Sequence, residues 1–237
     1  MLCKWEELLM TMQTPEVKMY YDILDKKRAS LVCKRCFDII VSAVLIMLLL
    51  PFFVLLAVAI KCDSSGPVFY RQVRITQYGR TFRIHKFRSM VVNADQRGSL
   101  VTVSNDSRIT RVGCLIRKYR LDEVCQLLDV LAGNMTLVGT RPEVPKYVKE
   151  YNSEMMATLL LPAGITSLTS IFYANEGNLL DTAKNPDKVY CECILPEKMK
   201  WNLEGIRQFS FWRDIKIMFM TFFAMCGKEY KVEEKEQ

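Results

Sequence analysis

Between Ile39 and Ile60 the chain runs for 22 residues without a charge, and Ser42 is the only polar side chain among them. A straight helix of that length measures about 33 Å, just enough to cross the hydrocarbon core of a bilayer. Two features argue against a simple crossing. Pro51 stands near the middle, where it removes a backbone donor and bends or breaks a helix. Each limb, 39–50 and 51–60, is then only about 15–18 Å long, near half the hydrocarbon thickness. Both flanks are also basic: Lys26, Lys27, Arg28, Lys34 and Arg35 precede the run, and Lys61, Arg71, Arg74, Arg80 and Arg83 follow it. The positive-inside rule keeps such flanks in the cytoplasm, which suits a helix that dips in, bends at Pro51 and returns. A signal anchor with a tolerated proline is the alternative, since membrane helices accept proline.

The rest of the chain is ordinary enough to fold. Of its 237 residues 50% are hydrophobic and 25% charged, which excludes a disordered chain that could not bury a core. The net charge of +7 suits an anionic partner such as a nucleotide or a phospholipid surface. No basic n-region with an apolar core opens the chain, so the nine cysteines are expected to be reduced thiols. Cys33-Lys-Arg-Cys36 would form half of a zinc site with Cys191-Glu-Cys193, but the second spacing is wrong for the usual knuckle.

Four segments follow from these patterns: a polar amphipathic extension at 1–32, the membrane helix at 33–61, a globular domain at 62–226 and a charged tail at 227–237. The predicted class is α/β, of the α+β and helix-rich kind. Val68–Arg74 and Thr81–His85 read as strands around a Gln77–Arg80 turn, a β-hairpin. From Ser64 to Ala94 the charges are all basic: Arg71, Arg74, Arg80, Arg83, Lys86 and Arg88. Such a patch can lie on anionic headgroups, gather a phosphorylated substrate, or be a basic face without a catalytic role. Leu121, Val124, Leu128 and Leu131 recur at helical spacing and predict a helix over 115–131. A short strand is expected at Met135–Val138, a helix over about 145–160, a strand or irregular segment over 165–175, and a helix from the Asn185-Pro-Asp187 turn through Leu203. The final helix, about 209–226, is rich in Trp and Phe and suits either a membrane interface or the core.

The inventory of reactive groups is narrow. There is no Walker loop and no G-x-G-x-x-G, and His85 is the single histidine, so triads and multi-His metal sites are excluded. A lone histidine in a strand is more often packed or hydrogen-bonded than catalytic. The carboxylate candidate is Asp122-Glu123, within Arg117-Lys-Tyr-Arg120-Leu-Asp-Glu123. One acid could attack phosphorus while the other holds a metal or moves a proton, with Arg120 and its neighbours on phosphate oxygens. The dipeptide alone is equally a solvated face with Arg120–Glu123 pairing.

The order of the motifs weighs against that plain explanation. Lys34-Arg-Cys-Phe-Asp38 precedes the apolar run; Gly66-Pro-Val-Phe-Tyr-Arg-Gln72, Lys86-Phe-Arg-Ser-Met90, Arg120-Leu-Asp-Glu123, Leu137-Val-Gly-Thr-Arg-Pro-Glu143 and Pro162-Ala-Gly-Ile-Thr-Ser167 follow it. This series resembles the bacterial sugar transferase family, the monotopic phosphoglycosyl transferases of surface-polysaccharide and glycoprotein assembly, over about residues 33–220. The resemblance implies transfer of a sugar-1-phosphate from a UDP-sugar to a polyprenyl (undecaprenyl) phosphate, with release of UMP, Mg²⁺ as cofactor and a covalent phosphosugar–aspartate intermediate. By motif, Asp122 would be the nucleophile and Glu123 its metal-binding neighbour, both near the Mg²⁺. Arg88 and Arg141, with Lys86 and Arg120, would engage phosphate or nucleotide. Lys34 and Arg35 would sit at the membrane surface near the polyprenyl phosphate, and Pro51 would bend the re-entrant helix. The size resembles the small form of the family. Its setting would be the cytoplasmic face of the bacterial inner membrane, with downstream glycosyltransferases as candidate partners. The chain departs from the family pattern at Leu50, often Ser, and Thr140, usually Pro. An inert membrane-surface scaffold is the competing class. A nucleic-acid binder is disfavoured, because no aromatic-basic stacking surface stands out.

Overall fold

The computed structural model describes residues 2–94, 106–173, 186–228 and 230. Its longest element is α2 (Arg28–Asp63), preceded by α1 (Pro15–Asp25), which starts where the Thr14 side chain accepts from the Val17 N–H and Pro15 fills the first helical turn. The helix α2 runs without interruption through Pro51, so the expected split into limbs 39–50 and 51–60 does not appear as a break. The proline withholds a single donor, and both sides of it remain helical. Among the described residues α2 is the one helix long and apolar enough to cross a membrane.

Two strands follow, β1 (Phe69–Ile75) and β2 (Thr81–Phe87), paired antiparallel with Tyr70 opposite Lys86 and Arg71 opposite His85. Their alternation forms the expected hairpin. The predicted helix over 115–131 is instead three pieces: α3 (Arg111–Lys118), a 3₁₀ segment (Leu121–Gln126) and α4 (Leu127–Leu131). Arg120 breaks it, at a left-handed φ of 52°. Leu131 is consequently exposed, and the buried positions are Cys125, Gln126, Leu127, Asp129 and Val130.

The strand β3 (Met135–Val138) pairs in parallel with β4 (Ala163–Thr166), so the strand begins ahead of the strand or irregular segment expected over 165–175 and ends early within it. Gly139 and Gly164 cross closely there: a Cβ on Gly164 would lie 2.2 Å from the Gly139 nitrogen. The helix expected over 145–160 is a short α5 (Pro145–Val148) and a later 3₁₀ segment (Met155–Leu160). After α6 (Leu168–Phe172), α7 (Pro186–Val189), a π-helical turn (Tyr190–Ile194) and α8 (Leu195–Arg207) follow one another without a gap. Asn185 lies outside the described residues. The last helix, α9 (Phe211–Met225), buries Ile217 and exposes Trp212, Phe219, Phe222 and Phe223.

Three packed clusters position the site. The N-terminal segment, set apart by its polarity in the sequence, contributes Met12, Val17, Tyr20 and Leu24 to a core with Leu160, Leu203, Ile206 and Phe209. Phe37, Val41, Leu45 and Leu49 of α2 pack on Phe82, Ile84, Val130 and Leu137. Farther along α2, Phe52, Phe53, Leu56 and Ile60 pack on Phe87, Ile116 and Cys125. The opposite side of α2 is bare: Ile40, Met47, Leu48 and Leu55 are each more than 60% exposed.

Candidate functional site

The 3₁₀ segment after Arg120 carries Asp122 and Glu123 on its first turn, facing the hairpin. Glu123 is gripped from two sides. Arg141 donates through Nη1 to Oε2 at 3.0 Å and through Nη2 to Oε1, a two-pronged guanidinium–carboxylate pair. Lys86 of β2 donates to Glu123 Oε1 at 2.8 Å. Asp122 is held differently. Among the described residues its carboxylate accepts no hydrogen bond, and the Lys86 Nζ lies 3.8 Å from Oδ2.

The electrostatics follow from these contacts. Burial pushes the Asp122 carboxyl up; Lys86 pulls it down and the neighbouring Glu123 adds to the rise. Burial acts on Glu123 in the same sense, but the charges and hydrogen bonds of Arg141 and Lys86 hold it well below the usual carboxylate range. Arg141 is correspondingly raised, chiefly by Glu123. The pair is therefore one fixed anion and one carboxylate with a raised proton affinity, a division that suits nucleophile and support.

Other expected site residues lie elsewhere. Arg88, expected on phosphate, is 5% exposed and donates to the carbonyls of Ser64 (2.7 Å) and Ser65 (2.8 Å) and to Ser64 Oγ (2.9 Å). It holds the two residues that follow the last turn of α2, which ends at Asp63. Gly66, at φ +119°, is required beside it, because a Cβ there would come within 2.1 Å of Arg88 Nη1. Lys34, expected at the membrane surface, is buried and bonds Asp214 Oδ2 at 2.6 Å and the Val138 carbonyl at 2.7 Å. A carbonyl and a carboxylate from the fold claim its ammonium. Arg35 caps α4 by donating to the carbonyls of Val130 (2.8 Å) and Leu131 (3.4 Å). Arg120 is exposed and serves as the left-handed residue before the acidic pair. Pro51 is exposed within α2.

Sequence reasoning assigned no role to three groups. Asp38 is buried and bonds Thr136 Oγ1 and the Leu137 N–H, tying α2 to β3. Glu143 accepts from Tyr190 at 2.5 Å, behind Arg141. Asp129 holds His85, the expected hydrogen-bonded histidine. Asp129 had left a signal, one acid in the otherwise apolar run from Leu127 to Leu131. One pocket is lined by Lys34, Thr140 and Asn202 and another by Arg141, Glu143 and Tyr151; Asp122 and Glu123 line neither.

Two adjacent carboxylates fit Mg²⁺, which takes one or two protein carboxylates and completes its shell with substrate phosphates and water. Asp122 accepts no hydrogen bond among the described residues and so has lone pairs free for a metal, whereas both Glu123 oxygens are taken by Arg141 and Lys86.

A family model described as bacterial sugar transferase matches residues 29–228. The chain belongs to the bacterial sugar transferase family. Named members with similar sequences include a UDP-glucose:undecaprenyl-phosphate glucose-1-phosphate transferase of Klebsiella pneumoniae, 34% identical over 198 residues, which are 82% of this chain and 40% of that protein. A UDP-N-acetylgalactosamine-undecaprenyl-phosphate N-acetylgalactosaminephosphotransferase of Aeromonas hydrophila is 35% identical over 79% of this chain and 42% of its own length. A UDP-glucose:undecaprenyl-phosphate glucose-1-phosphate transferase of Caulobacter vibrioides is 32% identical over 79% of this chain and 67% of its own. The chain thus spans about two-fifths of the length of the first two family members. These relatives bear the names of transferases that differ in the sugar they carry.

Proposed function

We propose that this sugar transferase moves a sugar-1-phosphate from a UDP-sugar to a membrane polyprenyl phosphate and releases UMP, through a phosphosugar–aspartate at Asp122. The observation that carries the proposal is the asymmetry of the acidic pair: Glu123 is saturated by Arg141 and Lys86, while Asp122 beside it has no donor within hydrogen-bond reach among the described residues.

Asp122 Oδ attacks the sugar-bearing phosphorus, and the bond from that phosphorus to the bridging oxygen breaks, its electron pair leaving with UMP. An oxygen of the polyprenyl phosphate then attacks the same phosphorus and expels Asp122 as a carboxylate, giving a polyprenyl diphosphate sugar. Lys86 lies where negative charge must approach Asp122, and it offsets the repulsion between carboxylate and diphosphate. Arg141 fixes Glu123 as an anion, so the second acid does not compete for the proton of the first. Mg²⁺ would be held first by Asp122, and by Glu123 only where the diphosphate draws Arg141 or Lys86 off its oxygens, and would neutralise the diphosphate and the departing phosphate.

The second part of the proposal is that α2 enters one leaflet, bends at Pro51 and returns. Its support is that both halves of α2 pack on one globular body: Lys34 reaches Asp214, and near the other end Asp63 accepts the Val112 N–H at 2.9 Å. A straight crossing would separate those contacts across the bilayer. The bare apolar side would face acyl chains.

Two measurements test this reading. Protein incubated with a UDP-sugar and Mg²⁺, without acceptor, is digested and the peptide containing Asp122 weighed; it should carry a sugar phosphate, and a peptide that never gains this mass removes Asp122 from the role. Ser30→Cys and Ser65→Cys, in a background without reactive native thiols, should both resist a membrane-impermeant reagent in intact cells; labelling of one alone would indicate a spanning helix.

A further inference from the structure

Beside the acidic pair lies a contact that the proposed chemistry does not use. Asp129 on α4 is 1% exposed, and both its carboxylate oxygens go to a single residue: Oδ2 accepts the backbone N–H of His85 at 2.8 Å and Oδ1 lies 2.8 Å from His85 Nδ1. An ionised carboxylate can only accept, so Nδ1 carries the proton in this contact. A buried carboxylate held at two points makes a stiff link, because loosening either bond leaves an unpaired buried charge.

The next residue along β2 is Lys86, which bonds Glu123 and lies 3.8 Å from Asp122. Consecutive residues of one strand are thus tied to consecutive pieces of one segment: His85 to α4, and Lys86 to the 3₁₀ turn before it. Lysine has a long flexible stem, and the strand backbone decides where its ammonium can reach. Burial fixes this backbone only on one side, since His85 and Lys86 are both part-exposed where Phe82, Ile84 and Phe87 are buried.

We propose that Asp129 and His85 form a clamp that positions Lys86, setting the distance between its ammonium and Asp122. Both are positioning residues that touch no substrate and act through Lys86. The kinetic consequence rests on the phosphoryl transfer proposed above; the placement of Lys86 does not.

The test uses the full chain in detergent micelles. The first readout is independent of activity: acetylation of lysines by an N-hydroxysuccinimide ester, followed by mass spectrometry with the exposed Lys26 as internal reference. His85→Phe and Asp129→Leu should each raise the relative rate at Lys86 about fivefold, as its ammonium leaves Glu123. His85→Asn, whose amide N–H stands at the Nδ1 position toward Asp129, should return it toward the parent value. An unchanged Lys86 rate in folded His85→Phe overturns the clamp. The second readout is UMP release from a UDP-sugar with undecaprenyl phosphate. His85→Phe should lower kcat about tenfold in the parent and less than about twofold in Lys86→Ala, because the histidine acts through the lysine. Equal losses in both backgrounds would show a structural role and overturn the proposal. If the parent releases no UMP from any donor, the transferase reading fails while the acetylation result still decides the clamp.

Discussion

Two lysine–aspartate encounters lie on the same body and do opposite work. At the start of α2, Lys34 bonds Asp214 and the Val138 carbonyl, with side chains 7% and 14% exposed. At the acidic turn, Lys86 is 18% exposed, bonds Glu123 and stops 3.8 Å short of Asp122. Burial pushes both aspartates up, so residue type and depth do not distinguish them. Saturation does. Asp214 is bound by its lysine and serves as an anchor, whereas the lysine beside Asp122 is turned to a neighbour and leaves the carboxylate able to react.

The largest effects should separate the two. On the proposed mechanism Asp122→Asn should cut UMP release by roughly 10³-fold or more, since the nucleophile proposed there has no substitute. It should not lower the thermal midpoint: a carboxyl raised by the fold is less stable ionised in the folded chain than in the unfolded one, and the amide removes that penalty. Lys34→Ala should behave in the reverse way. It strands Asp214 and should cost about 3–5 kcal/mol in a urea titration. An Asp122→Asn protein that melts much earlier, or a Lys34→Ala protein of parental stability, breaks the distinction.

The sequence made the family more legible than the scaffold. Alternation and a turn cluster sufficed for the hairpin, because those signals are local. Motif order singled out Asp122, Glu123 and Arg141, but Arg141 was expected on phosphate or nucleotide and in the structure forks Glu123. The destinations of Lys34 and Arg88 were hidden, because backbone carbonyls among their partners carry no mark in sequence and those of Lys34 are far along the chain: Val138 is 104 residues away and Asp214 is 180. The break at Arg120 was hidden for another reason. The apolar spacing of Leu121, Val124, Leu128 and Leu131 suits a helix, and nothing in an arginine announces a φ of 52°. Asp129 and His85 show the intermediate case, where a charge in an apolar run signals a buried partner without naming it.

Arg88 sharpens the comparison at smaller magnitude. As a helix-end clamp it should tolerate neither loss nor shortening: Arg88→Lys cannot reach two carbonyls as a fork and should lower stability by about 2 kcal/mol. Its Michaelis constant for the UDP-sugar should stay within about twofold of the parent, as uniform binding is untouched. A large rise in that constant with parental stability would return Arg88 to the phosphate.

The smallest effect is a shift of pH profile, and it probes Asp122 alone. In the role proposed for it, that of nucleophile, Asp122 must be ionised, so kcat/KM should fall as pH is lowered through its midpoint, approaching a tenfold loss per pH unit below it. Burial places this midpoint above the ordinary aspartate value of about 4. Glu123 does not contribute in this range, because Arg141 and Lys86 hold it ionised to well below it; the stability it provides is present above the unfolded value and lost only as pH falls through the lower folded one. Lys86→Met removes the charge that pulls Asp122 down, so the midpoint should move up, on top of any loss in rate. Asp129→Asn, which weakens the hold on the preceding residue, should move it the same way by less. A midpoint that ignores Lys86 would mean that its ammonium answers to Glu123 alone, and the separation of 3.8 Å would then have no bearing on the reactivity of Asp122.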